Sequence, residues 1–208
     1  MTDSPQLDRP WLIAVWPGMG HVALSAGYYL MSKLGMNQFA QLTPGQLFDV
    51  DTAIVKEGLI QSPHRPHSRL FAWKAPPGGR DVIVFIGESQ PQFGKLAFCE
   101  RLIDFARDQG VERLFTFAAM ATEMQPGSEA RVFAAATQQP VLDAMANFDV
   151  QILDDGHIGG LNWNQSQTRV KRRRAKIRSW LHSFHQKPNS ASNRCSKSPA
   201  KIVAERLS

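Results

Sequence analysis

Only two cysteines occur in 208 residues, Cys99 and Cys195, one within a helical pattern and the other in a polar stretch. They provide neither a disulfide framework nor a paired metal-ligand spacing, and a reducing, cytoplasmic setting is expected. No run of eighteen apolar residues appears, so no membrane-spanning helix is expected. The opening Met1-Thr2-Asp3-Ser4-Pro5 lacks the basic and apolar regions of a secretion signal, so export is not expected either. The glycine turn described below lacks the third glycine of a dinucleotide fingerprint and the Lys-Ser/Thr of a phosphate loop. Ser89 is not set in a Gly-x-Ser-x-Gly elbow, which removes the usual hydrolase nucleophile. His64 and His67 stand among prolines with no carboxylate or cysteine beside them, and they read as a surface loop. No metal and no cofactor is expected.

Charge is divided unevenly along the chain. Residues 1–162 hold 12 Lys and Arg against 17 Asp and Glu, a net of −5, whereas residues 163–208 hold 12 against 1, a net of +11. Two regions follow: an α/β domain over 1–162, and a basic polar tail over 163–208 expected to be disordered or partly helical.

The domain is organised around Trp11-Leu12-Ile13-Ala14-Val15-Trp16, a continuous apolar run closed by Pro17-Gly18-Met19-Gly20. Such a run reads as a strand buried on both faces, which belongs to a parallel sheet covered by helices. A helix of about thirteen residues follows, with Gly35 placed to cap it. Asn37 to Leu42 reads as a short strand. Leu70 to Trp73 reads as an extended stretch closed by Pro76-Pro77-Gly78-Gly79, as in a hairpin-like excursion. Asp81 to Ile86 is a second two-sided apolar strand, and Phe93 to Asp108 repeats at helical spacing up to Gly110. Arg113–Phe117, Val132–Ala136 and Val150–Leu153 read as further strands, with a helix over 139–147 started by Pro140. This alternation predicts an α/β domain with a parallel or mostly parallel sheet covered on both faces.

Candidate site residues gather where strands end. Gly18 and Gly20 form a tight turn that docks strand to helix, or else an anion cradle at a helix N-terminus, and His21 reads as a capping or packing residue. Glu88, Ser89 and Gln90 follow the second apolar strand at its carboxyl end, where α/β sheets place ligands. Glu88 has the best claim to chemistry, as a base or hydrogen-bond acceptor. Its structural alternative is a carboxylate capping the helix near Phe93. Asp154, Asp155 and His157 read as a solvated turn, and Trp11 and Trp16 as core or interface anchors.

Four stretches together resemble the proteasome assembly chaperone two (PAC2) family, in its bacterial form. They are Pro17-Gly18-Met19-Gly20-His21-Val22-Ala23, Leu47-Phe48-Asp49, Ile86-Gly87-Glu88-Ser89-Gln90-Pro91 and Gly156-His157-Ile158-Gly159-Gly160-Leu161-Asn162. The likeness runs from about Trp11 to Asn162 and departs from the family's usual Asn at His21. It implies the three-layer α/β/α architecture shared with nucleoside phosphorylases and peptide hydrolases, and it implies oligomerisation. In eukaryotic and archaeal members it implies a role in assembling proteasome particles without catalysis. It also adds Gly159 and Gly160 to the candidate ligand or interface residues.

After that segment the family continues with a small-residue helix and a further core strand, a pattern not found here. The preferred expectation is that the reading frame shifts near Asn162, leaving 163–208 outside the fold. The rival is a genuine extension binding an acidic partner, with Val170, Ile177, Leu181 and Phe184 lining one side of a basic helix beside Trp180. Lys171, Arg172, Arg173 and Arg174 are the only candidates for a nucleic-acid contact. Two functions are carried forward. The first is a non-catalytic protein-binding domain that self-associates. The alternative is a small-molecule or nucleotide-binding enzyme, ATP-grasp-like or nucleoside-processing, using the Gly18 and Gly20 turn with Glu88.

Overall fold

The computed structural model describes residues 5–42, 48, 53–61, 66–120 and 131–161, together with the backbone pairing of 177–179 and 200–207. The strands are β1 (Trp11–Val15), β2 (Asn37–Leu42), β3 (Ile54–Lys56), β4 (Leu59–Gln61), β5 (Ser68–Trp73), β6 (Val82–Gly87), β7 (Arg113–Ala119), β8 (Phe133–Ala135), β9 (Gln151–Ile152), β10 (Ile177–Ser179) and β11 (Ala200–Leu207). The helices are α1 (Val22–Leu34), α2 (Lys95–Asp108) and α3 (Gln139–Met145). The main sheet runs β2-β5-β6-β1-β7-β11-β8-β9, with β10 paired to β11.

The apolar run Trp11 to Val15 is central because both of its faces are covered. It pairs in parallel with β6 and β7, placing Leu12 beside Ile83 and Leu114. Alternation then divides the core. Leu12, Ala14, Ile83, Phe85 and Leu114 meet Phe98, Cys99, Leu102, Ile103 and Ala106 of α2 on one side. Val15, Val84 and Ile86 meet Ala23, Leu24, Leu30 and Met31 of α1 on the other. Phe115 and Ala134 meet Val141 and Met145 of α3. Phe115 lies beside Ile13 in the ladder, which puts α3 on the same side as α1 and gives three layers.

The parallel centre is flanked by antiparallel pairs. β2 runs against β5, and β5 against β6, the latter because the Pro76–Gly79 turn, closed by Gly79 N–H donating to the Pro76 carbonyl at 2.9 Å, leaves no room for a crossover helix. The boundaries differ from the sequence reading in small ways: β7 continues to Ala119, α3 stops at Met145 and β9 is shorter.

Two differences are larger. The hairpin β3–β4 is absent from the sequence reading, and it forms a sheet of its own. Second, β11 lies between β7 and β8, antiparallel to one and parallel to the other, in a segment read as a tail without strands. Ile177 is extended in β10 and does not belong to the expected basic helix. The physical reason is the exposed ladder of β7, whose backbone groups need partners, and Ile202-Val203 supplies the β-branched residues that suit such a place. Val170, Lys171 to Arg174, Trp180, Leu181 and Phe184 lie outside the described residues, as do Leu47, Asp49 and His64. Phe48 is described and packs edge-on against Phe98 at 6.1 Å.

Candidate functional site

The carboxyl ends of β1 and β6 lie side by side because the strands pair in parallel, Val15 opposite Ile86. Their loops, Pro17–His21 and Glu88–Pro91, therefore emerge together, as the switch-point rule for α/β sheets requires.

Gln90 is the residue that joins them. Its side-chain Nε2 donates to the Pro17 carbonyl at 2.7 Å, while its Oε1 lies 3.2 Å from where a Cβ at Gly160 would sit. Gly160 has φ 69°, a conformation that disfavours any side chain, so Gly fits there on both counts. Leu161 follows, buried in the core on the α2 side, and its carbonyl lies 3.7 Å from the buried Cys99 Sγ. Three of the four motifs thus converge on one carboxamide. Gly159 lies in the same segment, with no described residue within 4 Å of the place its Cβ would take.

Among the described residues nothing lies where a side chain at Gly18 would be, and its carbonyl accepts from His21 N–H at 3.1 Å. Gly20 and His21 both have positive φ, 61° and 51°. His21 occupies the N-cap position of α1 with no side-chain cap bond. A left-handed residue is needed there, and Asn, whose short polar side chain can hydrogen-bond locally, visits that conformation more readily than most residues.

Glu88 is engaged by β5. Its Oε1 lies 2.7 Å from Arg69 Nη2, its Oε2 accepts from His67 N–H at 2.9 Å, and its own N–H donates to the His67 carbonyl at 3.0 Å. It therefore ties the start of β5 to the end of β6. It does not cap α2, whose N-cap is Gly94 with no side-chain cap bond. Ser89 Oγ donates to the Gln90 carbonyl at 3.4 Å. His67 Nδ1 is 3.0 Å from Gln41 Nε2 on β2, extending this link to the sheet edge. Among the described residues, no group of three His, Cys, Asp or Glu is placed to hold a metal ion.

At the opposite end of the sheet lies a carboxylate that sequence reading passed over. Asp81 is buried and accepts from Lys74 Nζ at 2.7 Å, Ala75 N–H at 2.8 Å and Asp8 N–H at 2.7 Å. Burial alone would raise its pKa, but the hydrogen bond from Lys74 and those from the two backbone N–H groups outweigh it and hold the group below its ordinary value. A lone Asp leading an apolar strand was the available signal. Nearby, the Trp11 ring lies against Phe115 at 5.1 Å, with the Arg80 and Arg113 guanidinium groups at 5.8 and 5.3 Å.

Together these features define a layered, mixed α/β domain whose loops at one sheet edge are joined by their own side chains. The model of the PAC2 family matches residues 12–196, and the chain belongs to that family. Solved structures share the fold. An archaeal proteasome activator from Pyrococcus furiosus, PbaB, aligns with TM-score 0.66 at 22% identity over 79% of this chain and 70% of its own. A PAC2 family protein from Streptomyces avermitilis aligns at 0.58 and 16%, over 93% and 74%. A proteasome-assembly chaperone homologue from Mycobacterium tuberculosis aligns at 0.53 and 16%, over 76% and 68%. No curated protein matches the chain.

Proposed function

We propose that this chain is a non-catalytic, assembly-chaperone-like protein, acting in the cytoplasm through protein-protein contacts. One observation carries the reading: at the sheet edge where an enzyme of this architecture would hold its substrate, the polar side chains are engaged by the protein's own groups. Glu88 is held by Arg69 and His67 N–H, and Gln90 by the Pro17 carbonyl. A general base must reach a substrate proton, and a carboxylate in two such contacts is poorly placed to do so. Family membership and the fold shared with PbaB and the mycobacterial homologue support an assembly role. Among the described residues no helix is long and apolar enough to cross a membrane.

The test is the mass of the native protein purified from its own host. The reading expects a species heavier than the 23.2 kDa chain, with a second protein or further copies present. A 23.2 kDa species carrying a bound small molecule would support the enzyme reading instead.

A further inference from the structure

We propose that the slot between β7 and β8 is a docking site for an extended segment of a partner protein, with β11 as its exchangeable resident. This deepens the protein-binding reading and rests on it. β11 runs antiparallel to β7 and parallel to β8, and residues 162–199 stand between it and the end of the preceding core segment at Leu161. Its seat is therefore a matter of pairing rather than of a short connection. Backbone groups are common to all sequences, so the ladder accepts any extended segment, and the side chains at each register position decide which fits best.

The register shows where β11 fits and where it does not. Ile202, opposite Phe117 and Ala134, suits the side of the sheet that meets α1 and α3. Three other positions are mismatched. Val203 stands opposite Thr116, whose buried Oγ1 has no hydrogen-bond partner among the described residues, and valine has no polar group to offer it. Glu205 stands opposite Leu114, a fully buried core residue on the α2 side, so a carboxylate falls in an apolar row. Arg206 stands between Arg113 of β7 and Arg178 of β10, which sets three like charges in one cross-strand row.

These mismatches describe the better occupant. It is an extended segment antiparallel to β7, with Ser or Thr opposite Thr116, an aliphatic residue two places on opposite Leu114, and Asp or Glu next to that, opposite Arg113. A second copy of β11 would repeat all three mismatches, so the occupant is a different protein. Until it binds, β11 keeps the β7 edge paired, which protects an open strand from aggregation.

The test uses the full chain and two labelled peptides, one with the sequence of residues 198–208 and one carrying Val203→Thr, Glu205→Leu and Arg206→Glu. The first competes with a tethered β11 at an effective concentration of about millimolar and is expected to bind weakly. The second is expected to bind about tenfold more tightly, from three improved cross-strand pairs. A full chain carrying the same three substitutions is expected to melt several degrees above wild type. It should also bind the substituted peptide about tenfold less tightly than wild type does, because its own strand then fills the slot. Equal affinities of the two peptides overturn the proposal, as does a substituted chain that melts no higher than wild type. A peptide that instead splits a dimer of the wild-type chain would make β11 of a second copy the occupant and overturn it too. Each of these results leaves the protein-binding reading standing, since the mass of the native species tests that reading by itself.

Discussion

At the residue scale, the strongest constraints are steric and electrostatic. A Cβ on Gly27 would lie 2.6 Å from Cγ2 of the buried Val15, so α1 approaches β1 as closely as it does only because position 27 has no side chain. Gly27→Ala is expected to lower stability by about 1–3 kcal/mol in urea unfolding, the usual cost of overpacking. His21→Asn should act oppositely, raising stability by roughly 0.5–1 kcal/mol, because it relieves a left-handed residue at φ 51° that makes no side-chain cap bond. Asp81 gives the pH dependence. Its pKa is depressed in the folded state, so its contribution is fully present above the ordinary carboxylate value of about 3.9 and is lost as pH falls through the lower folded value. Asp81→Asn should cost roughly 2–3 kcal/mol at neutral pH and flatten the acid limb of the stability curve below about pH 4. An acid limb identical to wild type would show that the carboxylate does not carry it. Neither Gly27 nor Asp81 was legible as important in the sequence. Helical periodicity does not show which turn of a helix touches a strand, and an Asp before an apolar run resembles any turn residue.

At the element scale, legibility followed local pattern. β1, β6, α1 and α2 were readable because two-sided apolar runs and a 3.6-residue period are carried by the segment itself. The β3–β4 hairpin was missed because Glu57-Gly58 is a weaker turn signal than Asn-Gly or Asp-Gly, and its aliphatic residues point to both faces without an alternating polar row. β11 was missed because its place depends on a partner far away in sequence: seven residues pair with β7, from Ala200 opposite Ala119 to Arg206 opposite Arg113. It is also the strand that links β8 and β9 to the rest of the sheet. Ending the chain after Pro199 is therefore expected to expose the β7 edge, lower the melting temperature and promote association through unpaired backbone. A chain ending after Leu161 should behave in the same way. Melting at the wild-type temperature in both would place the domain boundary near 162 and leave β11 without a structural share.

At the scale of the whole molecule, the candidate site was legible as a place rather than as a mechanism. Parallel pairing of β1 with β6 sets the Pro17 carbonyl beside Gln90, and Gln90 beside Gly160, but the partners of Glu88 depend on β5, which the sequence showed only as an extended stretch. Arg69 and His67 turn Glu88 from a candidate base into a tie between strands. The central claim is that this edge is internally occupied and holds no substrate. It is tested most directly by thermal melting of the full chain and of Glu88→Gln against a panel of nucleotides and nucleosides, since a ligand that binds only the native state must raise its stability. The account predicts that Glu88→Gln melts lower than wild type by the same margin with and without every ligand. A several-degree stabilisation of wild type by one of them, abolished in Glu88→Gln, would contradict it.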